Sequence, residues 1–370
     1  MEKIFNFADD LGPIKIIHIQ DLAIGLKAVL VVDNVAAGPS IGGLRIAADV
    51  TTEECFRLAR AMTLKNAAAG LPHGGGKSVM VGNPMMPRAD KEKLIRAMAQ
   101  ALRGEDMYIF GPDMGTNEEC MAWVHDEIGR AVGLPRELGG IPLDELGATA
   151  YGMCEEAEVV VEFCDLELDG ARVVVQGFGS VGSHAARFLA EKGCVLVGAC
   201  DSRGGVHDPD GLDLGDLMKL KKAGRSVSEY DGARKIDSDA VIGLDCDIWI
   251  PAARPDVVNE DNVSDLKAKL ILQGANIPIT PGAEKILHER DVINLPDFIA
   301  NAIGVICAAM EYQKTRQAVA FQTISDKIRD NTRQVLEASR GKGVSLREAA
   351  MELAADRVRR AMDTRRWSVF

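Results

Sequence analysis

Apolar and polar residues follow two different patterns along this chain, and the first pattern covers its N-terminal part. The apolar runs Leu26–Val32 and Val79–Val81 predict two strands. Thr51, with Glu54 three residues later, resembles a capping box and predicts that a helix begins there. Loops are predicted for the glycine-rich stretches around Gly38-Pro39 and Gly42-Gly43 and at Gly74-Gly75-Gly76, and helices for Asp90–Leu102 and Asn117–Val132. This part is therefore predicted to be α/β.

The pattern changes after a connector at Leu138–Pro142. A long helix is predicted from Asp144 to Phe163, and short apolar runs then alternate with helical segments. Those runs are Val173–Val175, Val195–Ala199, Asp247–Ile250, Leu270–Leu272 and Val292–Leu295. Such alternation is typical of a parallel sheet covered by helices. The segment Arg316–Arg360 is predicted to form amphipathic helices.

Composition narrows the class of protein. A length of 370 residues fits two domains. The net charge of −12 argues against nucleic acid or an anionic membrane surface as a partner, and we find no apolar run long enough to span a membrane. The eight cysteines form no CxxC pair and the six histidines no HExxH motif, so no metal site is predicted. Free cysteines and an N-terminus without a signal-like pattern predict a cytoplasmic protein.

A glycine fingerprint lies in the second part of the chain, between a predicted strand and a predicted helix. It consists of Gly177, Phe178, Gly179, Ser180, Val181 and Gly182. Glycines at this spacing allow a tight turn and bring the backbone close to a pyrophosphate at the helix N-terminus. Asp201 ends the next predicted strand, near the position of a ribose-binding acid. The pattern predicts a dinucleotide site, and the alternative is a turn that serves helix–sheet packing alone.

The choice of cofactor stays open between NAD and NADP. Asp201 favours a free ribose 2′-hydroxyl and therefore NAD, which we place first. Ser202 and Arg203 follow at once, and an arginine there can pair with the 2′-phosphate of NADP. Arg203 can equally be a solvated turn residue.

Two lysines and an aspartate lie beside glycines in the first part of the chain. Lys65 is surrounded by apolar and small residues, Lys77 follows three glycines, and Asp113 belongs to the turn Gly111–Thr116. Glycines let a ligand or another backbone approach such side chains closely. A phosphate-binding P-loop at Gly74–Ser78 is disfavoured, because its motif requires a glycine where Leu71 stands.

These blocks together resemble the glutamate/leucine/phenylalanine/valine dehydrogenases. The similarity includes Gly42–Arg45, Met62–Lys65, Pro72–Lys77, Gly111–Thr116, the Gly177 fingerprint, Asp201–Gly205, Gln273–Asn276 and Asn301–Val305, in one order along most of the chain. The resemblance implies NAD(P)-dependent, reversible oxidative deamination of an L-amino acid to its 2-oxo acid and ammonia. It also implies a homo-oligomer built from an α/β substrate and oligomerisation domain (1–143), a Rossmann dinucleotide domain (144–315) and C-terminal helices (316–370) that pack back across the cleft.

The resemblance also implies roles for single residues. Lys65 would bind the substrate carboxylate, Lys77 would be catalytic, and Asp113 would exchange a proton with the substrate nitrogen. Gly42 and Gly43 would belong to the substrate site. The further cofactor contacts would be Thr149, Ala252, Ala275, Asn276 and Asn301.

The substrate pocket departs from the pattern of the glutamate enzymes. Those enzymes carry a lysine where this chain has Ile41 and a serine where it has Ala308. A pocket formed by Ile41, Gly111, Val305 and Ala308 would be apolar, and burying a side-chain carboxylate there without a partner is costly. We therefore expect an aliphatic or aromatic substrate.

Two alternatives remain. Asp201–Gly205 and Arg357–Trp367 look more like the glutamate branch, so a glutamate dehydrogenase is the first. A non-catalytic NAD-binding regulator is the second. It would be expected to have lost Lys65, Lys77 or Asp113, and all three are present.

Overall fold

The computed structural model describes residues 7–142, 146–315 and 319–364. The chain divides into two compact units. The first comprises Met1–Pro142, Val305–Ala320 and Met351–Phe370, and the second comprises Leu143–Gly304 and Phe321–Ala350. This division assigns 305–315 to the first unit and 321–350 to the second, unlike the sequence-based boundary at 315/316. The predicted helix start at Asp144, the segment start at Arg316, and Trp367 lie outside the described residues.

The regular elements are as follows, in chain order. The strands are β1 (Lys15–Asp21), β2 (Leu26–Asn34), β3 (Ser40–Ala47), β4 (Gly75–Val81), β5 (Tyr108–Pro112), β6 (Arg172–Gln176), β7 (Val195–Asp201), β8 (Gly204–His207), β9 (Arg234–Ile236), β10 (Ile248–Pro251), β11 (Leu270–Ile271) and β12 (Ile293–Asn294). The helices are α1 (Thr52–Ala68), α2 (Arg88–Ala101), α3 (Glu118–Ile128), α4 (Ala148–Val160), α5 (Ser180–Ala190), α6 (Leu214–Lys222), α7 (Pro281–Glu289), α8 (Asp297–Ala300), α9 (Ile303–Tyr312), α10 (Ala320–Lys342) and α11 (Leu346–Thr364). Short 3-10 helices cover Arg136–Leu138, Val161–Phe163, Val227–Glu229, Ser238–Gly243 and Val263–Asp265.

A five-stranded mixed sheet organises the first unit, in the order β1-β2-β4-β3-β5. β1, β2 and β4 pair antiparallel, whereas β4, β3 and β5 run parallel. Its main core contains Leu30, Leu44, Met80, Ile95 and Phe110, all at most 1% exposed. The predicted helix start is confirmed, because the Thr51 hydroxyl accepts a hydrogen bond from the Glu54 amide at 3.1 Å.

The loops predicted at the glycine-rich stretches are confirmed at Gly38-Pro39 and Gly74 but wrong for the glycines that follow. Gly42 and Gly43 lie within β3, and Gly75 and Gly76 lie within β4. A β-carbon on Gly42 would come within 1.7 Å of the Gly76 carbonyl oxygen. Glycine is therefore needed here to let two paired strands approach, although its ordinary effect on a strand is to weaken it.

A seven-stranded sheet organises the second unit, in the order β12-β11-β10-β6-β7-β8-β9. The first five strands in this order run parallel, which confirms the predicted parallel sheet, and β8 and β9 add an antiparallel edge. The core includes Val174, Val197, Trp249, Ile271 and Leu287. This is the doubly wound arrangement in which ligands bind at the carboxyl ends of the strands.

All eight cysteines are free thiols, and seven of them are buried. Cys164 is half-buried. Burial raises the pKa of the Cys55 and Cys246 thiols to about 12, so both stay protonated at neutral pH. Among the described residues, no helix is both long enough and apolar enough to cross a membrane.

Candidate active site

Three parallel neighbours of the first sheet, β4, β3 and β5, bring the predicted catalytic residues together. In their register Leu44 pairs with both Ser78 and Pro112. Lys77 therefore stands one position before this line, and Asp113 one position after it. Residues far apart in sequence meet because the pairing register places the start of β4, the middle of β3 and the end of β5 side by side.

The Lys77 side chain is only 7% exposed, and its Nζ makes an ion pair with Oδ2 of Asp113. A β-carbon on Gly43 would lie 2.7 Å from the Asp113 Cβ and 3.2 Å from Lys77 Nζ. Any larger residue at position 43 would therefore press on both charged groups. The strand packing, together with this glycine, lets the backbone of β3 lie directly against the cation–anion pair.

Asp113 is held by its backbone as well as by its charge. Its amide donates to the Thr116 hydroxyl at 2.9 Å, and that hydroxyl donates to the Leu44 carbonyl at 2.9 Å. Burial raises the pKa of the Asp113 carboxyl, but the charges of Lys77 and Arg45 outweigh it and hold that pKa below its ordinary value. Asp113 is therefore ionised at neutral pH, as a proton acceptor must be.

Lys65 lies in the last turn of α1, half-buried, on the helix that packs against the glycine run. A β-carbon on Gly75 would come within 2.0 Å of the Thr63 amide nitrogen. The Asn66 side-chain amide donates to the Gly74 carbonyl at 2.6 Å. The helix segment that carries Lys65 is thus fixed directly on the strand that carries Lys77.

The predicted pocket residues all belong to the first unit. Ile41 is 3% exposed and pairs with Gly75 and Ile109, and Gly111 pairs with Gly43. Val305 and Ala308 lie on α9, the first buried and the second half-buried.

The last turn of α9 is anchored beside the glycine run. The Tyr312 ring meets the His73 ring edge-on at 5.7 Å, and Ala308 lies one helical turn before Tyr312. Glu311 accepts a hydrogen bond from the Leu134 amide at 2.9 Å. These contacts hold the helix segment with Ala308 near the segment that leads to Lys77.

In the second unit, each fingerprint glycine has a separate structural reason. Gly177 has a left-handed φ of +99°, which favours glycine. A β-carbon on Gly182 would lie 2.2 Å from the Gly177 carbonyl oxygen, so helix and strand could not pack as closely. Around Gly179, at the N-terminus of α5, there is open space. The residues fit a dinucleotide, because this gap leaves the backbone and helix terminus accessible to a pyrophosphate.

Asp201 ends β7 as predicted, but both of its carboxylate oxygens are already hydrogen-bonded. Oδ1 accepts from the Ser226 hydroxyl at 2.7 Å and from the Arg203 amide at 3.0 Å. Oδ2 accepts from Lys221 Nζ at 2.8 Å and from the Val227 amide at 3.1 Å. Burial raises its pKa, yet these four donors lower it further, to about 2. Ser202 and Arg203 lie exposed beside it.

The remaining predicted cofactor residues lie around the same end of this sheet. Asn301 donates to the Asn276 side-chain oxygen at 3.3 Å. Ala252 and Ala275 follow the strands β10 and β11, with their amides bonded to Gln176 and Pro251. Thr149 is half-buried in the first turn of α4.

The structure adds residues to which the sequence analysis gave no role. Arg45 and Glu54 extend the charge cluster around Asp113, and Lys221 pairs with Asp201. Tyr108 donates from its buried hydroxyl to the Gly42 carbonyl at 2.7 Å and lies 3.0 Å from the Ser78 hydroxyl. The sequence signals near these residues were the Gly42–Arg45 block for Arg45 and the capping-box pattern for Glu54, and neither indicated a role at the active site.

Comparisons with known proteins agree with this architecture. A family model for glutamate/leucine/phenylalanine/valine dehydrogenases matches residues 139–366, and a model for the dimerisation domain of these enzymes matches residues 17–130. Over 358 residues the chain is 38% identical to a glutamate dehydrogenase of Aeropyrum pernix, covering 90% of this chain and 85% of the relative.

Relatives with either cofactor are similar to this chain. An NADP-specific glutamate dehydrogenase of Saccharolobus shibatae is 36% identical over 353 residues, covering 90% of this chain and 83% of the relative. An NAD-specific glutamate dehydrogenase of Staphylococcus aureus is 34% identical over 354 residues, covering 90% and 85%. The hetero-hexameric glutamate dehydrogenase of Thermus thermophilus, in its leucine-bound form, superposes with a TM-score of 0.79 at 27% identity, covering 96% of this chain and 90% of that one.

The two family matches together cover most of the residues, and the lysine–aspartate pair and the glycine fingerprint stand within them. The chain belongs to the glutamate/leucine/phenylalanine/valine dehydrogenase family and is an NAD- or NADP-dependent enzyme that oxidatively deaminates an amino acid.

Proposed function

We propose that this enzyme acts preferentially on an aliphatic or aromatic L-amino acid and that Lys77 and Asp113 carry out the proton transfers. The observation that carries the assignment of these two residues is the ion pair between buried Lys77 and half-buried Asp113, packed against Gly43. The lysine side chain is only 7% exposed and contacts a carboxylate. Such groups are typical of sites where protons are exchanged.

The reaction requires three side chains of the first unit. Lys65 binds the substrate carboxylate. Asp113 takes a proton from the substrate ammonium, which frees the nitrogen lone pair. A nicotinamide cofactor, when bound, would supply the acceptor for the Cα hydride, whose loss leaves the substrate as an iminium ion. Lys77 takes a proton from the water that attacks the iminium carbon and passes it to the nitrogen. The C–N bond then breaks and ammonia leaves, while the hydroxyl proton goes back to Lys77 and the C–O bond becomes the carbonyl of the 2-oxo acid.

Ile41 and Ala308 support the choice of an apolar side chain. Ile41 is buried, and neither residue can neutralise a charge. A glutamate side chain placed among Ile41, Gly111, Val305 and Ala308 would lose its hydration without gaining a cation from them. Such an unpaired buried charge costs several kcal/mol. A leucine, valine or phenylalanine side chain loses nothing comparable and gains apolar contact.

A second candidate is glutamate itself, because the three curated relatives compared above are named glutamate dehydrogenases. Absorbance of the reduced nicotinamide, followed with leucine, valine, phenylalanine, glutamate and tryptophan, separates the two candidates. We expect kcat/KM for the best apolar substrate to exceed that for glutamate by about 100-fold, the equivalent of about 3 kcal/mol. Glutamate as the best substrate would overturn the pocket assignment but leave the roles of Lys77 and Asp113 standing.

We further propose three features of the working enzyme. The fingerprint Gly177–Gly182, with Thr149, Ala252, Ala275, Asn276 and Asn301, binds the dinucleotide, and Asp201, Ser202 and Arg203 contact its ribose end. The first unit forms a homo-oligomer, as the matched dimerisation domain and the hexameric Thermus structure suggest. The enzyme works in the cytosol, where its eight free thiols would stay reduced.

A further inference from the structure

Arg45 lies two residues after Gly43 on β3, and alternate residues of a strand point to the same face. Its side chain is 21% exposed. Its Nε lies 3.1 Å from Asp113 Oδ2, and its Nη1 lies 2.7 Å from Glu54 Oε1. The guanidinium thus joins the carboxylate of the candidate active site to an acid in the first turn of α1.

Both cations that contact Asp113 bind the same oxygen. Lys77 reaches Oδ2 from β4, and Arg45 reaches it from β3. Lys77 must leave this oxygen to act on water, however, and a half-buried carboxylate without a cation would then take up a proton or move. Arg45 does not have to leave. Its guanidinium remains charged at every working pH, and Glu54 holds its far end.

We propose that Arg45 is the positioning residue of Asp113: it holds the carboxylate in place as a charged group while Lys77 exchanges Asp113 for the reacting atoms. The inference rests on the proposed roles of Lys77 and Asp113. It explains why Asp113 stays ionised and in place when Lys77 leaves it in each turnover.

The charged and titratable groups around Asp113 set the direction of the test. They are Lys77 on β4, Arg45 on β3, Glu54 on α1 behind Arg45, and the buried Tyr108 hydroxyl on β5. Burial raises the pKa of Asp113, whereas Lys77 and Arg45 lower it. Removal of Arg45 therefore raises this pKa. Because a proton acceptor must be ionised, activity should then be lost at a higher pH when the solution is acidified.

The experiment compares kcat/KM for oxidative deamination between pH 3 and pH 9 for the wild-type enzyme, Arg45→Met and Arg45→Lys, because the pKa of Asp113 lies below its ordinary value of 3.8. Arg96→Met is the matched control, because Arg96 is a partly exposed arginine of the same unit that pairs with Glu92, Asp126 and Glu127. For Arg45→Met we expect kcat to fall about 10- to 100-fold. We also expect the acid-side loss of kcat/KM to move up by about one pH unit. Arg45→Lys should retain the wild-type position of that loss and recover only part of kcat, and Arg96→Met should match the wild type.

The proposal would be overturned if kcat/KM of Arg45→Met is lost on acidification at the same pH as in the wild type, whatever its maximum value. A purely structural role lowers activity at all pH values alike. Far-ultraviolet circular dichroism and thermal unfolding establish that each variant is folded. If Arg45→Met does not fold, Arg45→Lys decides: wild-type kcat would show that the two-pronged guanidinium contact is unnecessary. Lys77→Ala, measured alongside, tests the proposed function itself. High activity of that variant would contradict the catalytic roles of Lys77 and Asp113, on which the role of Arg45 depends.

Discussion

Each unit contains an aspartate bound by cations, and the two differ in how many partners they have. Asp113 in the first unit receives its charged contacts on one oxygen, from Lys77 and Arg45. Asp201 in the second unit receives four donors on two oxygens, and two of these donors are backbone amides. The pKa of Asp113 is below its ordinary value, and that of Asp201 is about 2.

The difference distinguishes a carboxylate that can change partners from one that is fixed. A carboxylate whose side-chain contacts fall on one oxygen can lose one cation and keep the other. A carboxylate with four donors must give up a hydrogen bond before it can accept one from a ribose hydroxyl, and that exchange gains little. Asp113 is therefore suited to chemistry, whereas Asp201, beside its proposed ribose contact, is suited to holding the turn in which Ser202 and Arg203 stand.

The largest effect is expected from breaking the pair in the first unit. Lys77→Ala should lower kcat by at least about 100-fold, because it removes the group that moves protons to and from water. Binding of the dinucleotide should remain close to that of the wild type, since the fingerprint lies in the other unit. Steady-state kinetics and a fluorescence titration measure the two effects.

Lys27→Ala is the control for this change, because Lys27 is an exposed lysine on β2 of the same sheet. It should leave kcat unchanged. A Lys77→Ala enzyme with turnover near that of the wild type would contradict the role assigned to Lys77.

A positive charge introduced into the proposed substrate pocket tests whether glutamate is disfavoured because its side-chain carboxylate has no cationic partner there. Ile41→Lys should raise kcat/KM for glutamate by about tenfold or more, because it supplies a cation to the side-chain carboxylate. The same change should lower kcat/KM for leucine. Ile41→Met, similar in length and uncharged, is the control; a rise in glutamate activity in both variants would mean that space and not charge limits this substrate.

The ribose end of the second site is tested with a smaller expected effect. Lys221→Met leaves the Asp201 charge uncompensated, so kcat/KM with NADP should fall about tenfold relative to NAD, through repulsion of the 2′-phosphate. Arg203→Ala should change the ratio in the same direction. Lys219→Met, on the same helix but paired with Asp216, should leave the ratio unchanged. An unaltered ratio in both test variants would assign Arg203 and Lys221 to the turn alone.

The smallest effect concerns stability in acid. The Asp201 pKa is about 2 in the folded protein and 3.8 as a free side chain, so ionised Asp201 stabilises the fold above pH 4. This contribution is lost as the pH falls from about 4 to about 2. The difference in free energy of unfolding between wild type and Asp201→Asn should therefore be smaller at pH 3 than at pH 6, by up to about 1 kcal/mol. Urea unfolding at the two pH values measures it. Asp245→Asn, an exposed partner of Arg172, should show a weaker dependence, and an equally strong one would mean that the four donors of Asp201 have no special effect.

Sequence patterns predicted the second unit better than the first. Runs such as Val173–Val175 predict buried parallel strands because both faces of such a strand are covered and apolar. The same reading missed β3 and the first half of β4. Gly42 is required there by the approach of the β4 backbone, and Gly76 by the side chains of Ser40 and Tyr108, and neither requirement depends on hydrophobicity. Glycine has no periodic signal, so a strand that requires it resembles a loop.

The candidate site shows the same limit. Lys77 and Asp113 were identifiable because glycines and a proline surround them in the sequence. The ion pairs of Arg45 with Asp113 and Glu54 are visible only in the folded protein, where β3 and α1 lie side by side. The pair of Lys221 with Asp201 likewise depends on the approach of α6 to the end of β7. Pairings between distant segments depend on the tertiary structure, and a linear pattern contains no record of them.

The buried cysteines make the opening of each site measurable without adding a label by mutation. The Cys55 thiol donates to the Lys77 carbonyl at 3.2 Å, and Cys200 immediately precedes Asp201. Both thiols react with an alkylating reagent only after the surrounding structure opens, because burial raises their pKa values, to about 12 and about 11. Mass spectrometry of alkylated peptides would therefore time local unfolding at the two aspartate sites separately. The two thiols thus report separately on the opening of β4 at Lys77 and on the opening of β7 at its end.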